Sequence, residues 1–109
     1  MKLAKVIGTV VATQKDRGLV GRKLLVVRDL KVDGSVAEGF AIAVDAVGAG
    51  VGETVLTVSG SSSRLTAVTQ DTPVDTAIIG IVDTVEADGT VVFRKHERPS
   101  APAKRRRKP

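Results

Sequence analysis

The chain alternates between short apolar runs and turns. Valine, isoleucine and threonine dominate the runs, glycine recurs between them, and no long segment keeps the 3.6-residue period of an amphipathic helix. Residues 2–13, "KLAKVIGTVVAT", predict a first strand with a bulge or bend at Gly8. A polar turn at Lys15-Asp16-Arg17-Gly18 leads to a second strand over 23–32, closed by the hairpin signal Asp33-Gly34. Third and fourth strands are predicted over 40–46 and 53–59, with "AVGAGVGE" (46–53) between them. Residues 60–68 hold the one plausible helix, and the serines at its start are placed to cap it. After a loop at 70–73 comes the most apolar strand, 77–85, which Asp88-Gly89 turns into a last strand over 90–95. Short strands at this spacing predict an all-β fold built as a small barrel, with one short helix and an extra hairpin.

One segment carries information beyond fold. In "AIIGIVD" (77–83) both alternating sets are apolar, Ile78 and Val82 on one face and Ile79 and Ile81 on the other. A strand with one wet face alternates polar with apolar residues. A barrel this small has a single interior, so the second face packs on either the short helix or another subunit.

Size and charge narrow the picture. A chain of 109 residues suits one domain. It buries roughly two-thirds of its unfolded surface, so its core is small. With no cysteine there is no disulfide framework and no thiolate chemistry. The run after Met1-Lys2-Leu3-Ala4-Lys5 is broken by Gly8, Thr9 and Thr13, so no signal-peptide core forms. No run approaches the ~20 apolar residues of a membrane helix. The expectation is a soluble, cytoplasmic protein with no membrane partner. The net charge of +5 is unevenly placed: residues 95–109 carry seven Lys or Arg and one acid, Glu97, while residues 1–94 carry ten basic and eleven acidic residues. The basic character belongs to the tail, where Pro99, Pro102 and Pro109 flank Lys104-Arg105-Arg106-Arg107-Lys108 in a composition that predicts disorder. The chain thus divides into a folded domain, 1–95, and a flexible Pro/Arg/Lys-rich tail, 96–109.

Candidate chemistry is sparse. "AVGAGVGE" lacks the spacing of a dinucleotide or P-loop motif, nothing helical follows it, and Glu53 would repel phosphate. It reads as a turn in which glycine permits positive φ and close approach of another backbone. The single histidine, His96, lies beside the tail. Ser61, Ser62 and Ser63 have no evident base and suit capping or polar loop contacts. Asp45, Asp75 and Asp83 are in principle paired carboxylates or hard-metal ligands, but aspartates at strand ends more often serve turns. No catalytic, cofactor or metal site is expected. Nucleic-acid binding on a small barrel needs aromatic platforms in a basic groove, and this chain has Phe40 and Phe93 as its two aromatic residues and a near-neutral body. The tail offers at most weak, nonspecific phosphate contacts.

Several segments taken in order resemble the EutN/CcmL family of bacterial microcompartment vertex proteins. They are "KVIGTVVATQK" (5–15), "GRKLLVV" (21–27), "AVDAVGAGVGETVL" (43–56), "GSSSR" (60–64) and "PVDTAIIGIVDTV" (73–85). The resemblance implies an OB-like five-stranded barrel that assembles as a ring of five at the vertices of a polyhedral shell. It also implies hexameric and trimeric shell proteins as partners, with no catalytic residue to carry over. A cyclic ring repeats one heterologous contact and needs two complementary patches per subunit. Gly48, Gly50, Gly52, Ile79 and Ile81 are the candidates for the subunit interface. Ser61, Ser62, Ser63 and Arg64 are candidates for a loop at the interface or the ring axis. The alternatives are an OB-like nucleic-acid-binding protein with a basic tail and a small enzyme using the serine loop.

Overall fold

The computed structural model describes residues 1–13, 17–60, 63, 65–66, 69 and 75–95, and of Arg94 the backbone alone. Among these residues the strands are β1 (Lys2–Val10), β2 (Leu24–Leu30), β3 (Val36–Asp45), β4 (Thr54–Ser59), β5 (Thr76–Ile81), β6 (Thr84–Ala87) and β7 (Thr90–Arg94), with one 3-10 turn at Arg17–Leu19. Strands β1 to β5 close into a barrel in the spatial order β1-β2-β3-β5-β4. This is the OB-like five-stranded barrel that the resemblance implied. Every seam is antiparallel except β3–β5, a short parallel junction that pairs Val44 with Ala77 and Asp45 with Ile78.

The interior is filled from all five strands. Ala4 and Val6 of β1, Leu25 and Val27 of β2, Ala43 of β3, Val55 of β4 and Ile78 of β5 form one buried cluster, joined by Ala49 from the β3–β4 connection. These are small or medium side chains because a five-stranded barrel encloses little space. The alternation that buries them turns their neighbours outward.

Two bulges adjust that alternation. In β1, Val6 opposes Val27 and Gly8 opposes Val26, leaving Ile7 as the extra residue beside the predicted Gly8. In β5, Gly80 opposes Leu56 and Ile78 opposes Thr57, leaving Ile79 extra. The second bulge corrects the expectation that Ile79 and Ile81 share a face. The register shift turns Ile81 back inward, opposite Val55, where it packs on the core cluster.

The predicted single strand over 77–85 is also corrected. It breaks at Val82-Asp83, where β4 has no further residues to pair. The Val82 N–H donates to the Thr54 carbonyl at 2.9 Å, and the chain then leaves the barrel. β6 and β7 form a separate two-stranded sheet. Its turn, Asp88-Gly89, has φ of 53° and 75°, the pair of positive values a type I′ hairpin requires. At the hairpin's base the Lys95 N–H donates to the Asp83 carbonyl at 2.7 Å.

The predicted helix, 60–68, falls mostly outside the described residues. At its end, the Thr69 N–H donates to Thr66 Oγ1 at 2.9 Å and the Thr66 N–H to Thr69 Oγ1 at 3.3 Å. The tail, 96–109, also lies outside the described residues.

Candidate functional site

The glycine stretch is a fixed connection between β3 and β4. Its far end continues the β1–β4 ladder: the Gly52 N–H donates to the Val6 carbonyl at 2.8 Å and the Val6 N–H to the Glu53 carbonyl at 3.0 Å. Gly48 and Gly52 have φ of 82° and 95°, values that side-chain-bearing residues rarely adopt. Between them Ala49 is buried in the core.

The chain's own carboxylates occupy this loop's amides. Asp45 Oδ1 accepts the Val47 and Gly48 N–H groups at 3.0 and 3.1 Å, and Glu53 Oε1 accepts the Gly50 N–H at 2.7 Å. A phosphate cradle needs such amides aimed outward at a ligand. Here three of them are already satisfied by acids, so the loop is a structural device. Two lysines complete it. Lys23 Nζ donates to the Ala49 carbonyl at 2.6 Å and lies 3.6 Å from Asp45, while Lys95 Nζ lies 3.4 Å from Glu53 and 3.9 Å from Asp83. The Gly50 N–H, and after it Lys95, hold the Glu53 carboxyl below its ordinary range. Lys95 thereby ties the foot of the β6–β7 hairpin to the loop.

The sequence-predicted residues are not all brought together. Gly48, Gly50 and Gly52 lie in the loop whose Glu53 is tied to the foot of the hairpin by Lys95, whereas Ile79 lies on β5 and Ile81 faces the core. Ser63 is fully buried, and its Oγ donates to the Gly60 carbonyl at 2.7 Å, which removes it as a surface nucleophile. Ser61, Ser62 and Arg64 lie outside the described residues. Among the described residues, no three of His, Cys, Asp and Glu gather to hold a metal ion.

Sequence reasoning missed the outer face of the barrel. Leu3 pairs with Leu56 on one side and Leu30 on the other, and all three alternate with inward-facing residues. They form a leucine row across β4, β1 and β2. Gly80, opposite Leu56, extends the row without covering it; a Cβ there would meet the Leu56 side chain at 3.5 Å. A second apolar patch lies on β1 to β3, where Ile7, Phe40 and Ile42 are each more than 40% exposed and the Arg28 guanidinium sits 4.8 Å from the Phe40 ring centre. The signal for the leucine row was the same as in 77–83: adjacent apolar pairs Leu3-Ala4 and Val55-Leu56 in strands that have one interior to serve.

A closed barrel whose outer faces remain apolar offers surfaces suited to contact with other subunits. The comparisons with known proteins agree. The family model described as "Ethanolamine utilisation protein EutN/carboxysome" matches residues 1–83. The bacterial microcompartment shell vertex protein EutN of Salmonella typhimurium is 48% identical over 95 residues, spanning 87% of this chain and 96% of that protein. Among solved structures, Gloeobacter violaceus CcmL superposes with a TM-score of 0.85 at 38% identity, over 89% of this chain and all of that one. The pentameric microcompartment shell protein GrpN of Rhodospirillum rubrum superposes with a TM-score of 0.74 at 47% identity, over 80% of this chain and 99% of its own. The chain belongs to the EutN/CcmL family of shell vertex proteins. It is a structural protein and not an enzyme.

Proposed function

We propose that five copies of the chain form a ring that caps the vertices of a bacterial microcompartment shell in the cytoplasm. The observation that carries this is membership of the vertex family together with 47% identity to a shell protein described as pentameric. Six-fold tiles alone cover flat facets, and five-fold units supply the curvature that closes a polyhedron. The neighbours at a vertex are then the shell's hexameric and trimeric tiles.

A five-fold ring needs one heterologous contact, made by two different patches of each subunit. Ile79, the extra residue of the β5 bulge, stands beside the leucine row and belongs to one patch. The glycine loop belongs to the other, with Gly48 and Gly52 exposing backbone that a neighbour can approach closely. The segment Ser61 to Arg64 is assigned to the axis or the contact.

Nucleic-acid binding is the weaker reading: the sequence holds two phenylalanines and no Trp or Tyr, and Arg28 already covers Phe40. Native mass spectrometry of residues 1–109 tests the ring. The expected species has five times the 11.3 kDa chain mass. A stable monomer refutes the proposal.

A further inference from the structure

The β6–β7 hairpin is left without a core. Its strands pack on each other, while neither is among the strands that share substantial contacts with the barrel. It is tied at its foot by Lys95 to Asp83 and Glu53. An isolated two-stranded sheet is marginally stable in water. Yet this one carries Val85 opposite Phe93, with Val91 and Val92 beside them, and its far end carries Glu86 and Asp88. The hairpin is an apolar ribbon with an acidic tip.

The barrel offers the complementary surface. A groove of about 390 Å³ runs over the leucine row, lined by Met1, Leu3, Leu30, Val32 and Leu56 with Lys2 and Lys31. Lys5 and Arg28 pair directly opposite each other next to the row, on the same outer face. The Arg28 guanidinium turns to the Phe40 ring and the Ala37 carbonyl, so the exposed Lys5 ammonium is the charge at this margin that an acid of another copy can meet. Lys31 is exposed at the other margin.

We infer that the acidic-tipped hairpin of one subunit docks on the leucine row of the next copy of this chain, between Lys5 and Lys31, and that this is the repeated contact of the ring. The inference rests on the proposed pentamer and names its partner surfaces. Charge and shape choose the occupant: the ribbon is acidic and apolar, the groove basic and apolar. One patch is at the hairpin's end of the molecule and the other on the barrel wall, which is the asymmetry a heterologous contact requires.

The experiment is a charge exchange read by native mass spectrometry on the full chain, with circular dichroism to confirm folding. Asp88 has φ of 53°, so asparagine, which tolerates that conformation, replaces it. Glu86→Lys/Asp88→Asn and Lys5→Glu/Lys31→Glu are each expected to lower pentamer by tenfold or more in favour of folded monomer. Combining all four, which exchanges the charge at Glu86 and leaves position 88 neutral, is expected to recover pentamer in part. Leu3→Asp, on the outer face, is expected to give folded monomer and no rescue. If the parent is a pentamer and both charge variants remain pentamers, the hairpin contact is overturned while the ring reading stands. Loss of pentamer in both without restoration in the combination also overturns it. A monomeric parent overturns the ring reading, and this contact with it.

Discussion

Replacing Gly39 with alanine should destabilise the barrel through two separable effects. Gly39 sits in β3 with φ of 128°, a region that side-chain-bearing residues avoid at a cost of about 1–3 kcal/mol. A Cβ built there would stand 2.7 Å from Asp29 Oδ2 and 3.4 Å from its Cγ, so the carboxylate must rotate away. Asp29 is held by Lys2 at 3.2 Å, but that lysine is 64% exposed, and a screened pair of this kind contributes about 0–1 kcal/mol. Strain therefore dominates, and the expected loss is about 2–3 kcal/mol. For a domain this size that lowers Tm by roughly 8–20 °C. The assay is urea and thermal unfolding of parent, Gly39→Ala, Asp29→Ala and the double variant, all at one protomer concentration because assembly raises apparent stability. The double variant should recover the collision and leave the backbone strain, so most of the loss remains. Full recovery in the double variant, or a Gly39→Ala loss under about 0.5 kcal/mol, would refute the reasoning.

Four further outcomes are expected. Ile78→Ala, which empties a fully buried core position, should cost about 2–5 kcal/mol in chemical denaturation. Ile79→Asp should convert the ring to folded monomer by native mass, since the bulge leaves this residue beside the outer row and not in the core. Glu53→Gln should lower Tm by an amount that depends on pH. The folded carboxyl titrates below the ordinary value of 4.5, so its contribution is complete above that value and is lost as pH falls through the lower, folded one; the gap between parent and variant in a pH series of thermal melts should close in acid. Deleting residues 99–109 should leave five chains per particle, at five times the shortened chain's mass, because the EutN relative reaches almost its full length within 95 aligned residues.

The sequence disclosed the strands through turn chemistry: Asp33-Gly34 and Asp88-Gly89 both mark hairpins, and Asp88 even adopts the positive φ its residue type permits. The apolar character of 77–83 was also legible, and the structure assigns Ile78 and Ile81 to the barrel interior. What the sequence could not disclose was register. Periodicity counts residues, and a bulge inserts one uncounted: this is why Ile81 was expected beside Ile79 yet faces Val55. The loop's carboxylates were hidden for a similar reason. Asp45 and Glu53 flank the loop, but Lys23 and Lys95 lie far from it in sequence, and only the fold brings those two lysines to it. The leucine row was visible as adjacent apolar pairs, but only the cross-strand pairing of Leu3 with both Leu30 and Leu56 makes three separate residues one surface.

Closure of the five strands has a consequence for a molecule that must live crowded among copies of itself. Open sheets expose unpaired N–H and C=O rows along their margins, and another chain can add to these without limit. Here each strand of the barrel has a partner on both sides. Among the described residues the free margins are those of β6 and β7, strands of four and five residues with charge at the hairpin's tip, and the β5-facing edge of β3 before Val44, where the short parallel seam begins. Along the paired seams of the barrel wall, copies brought together at high local concentration can meet only through side chains, which set an angle, and not through backbone addition, which would run on into fibres. Closure thus removes most of the edges along which a finite assembly could grow into an endless one.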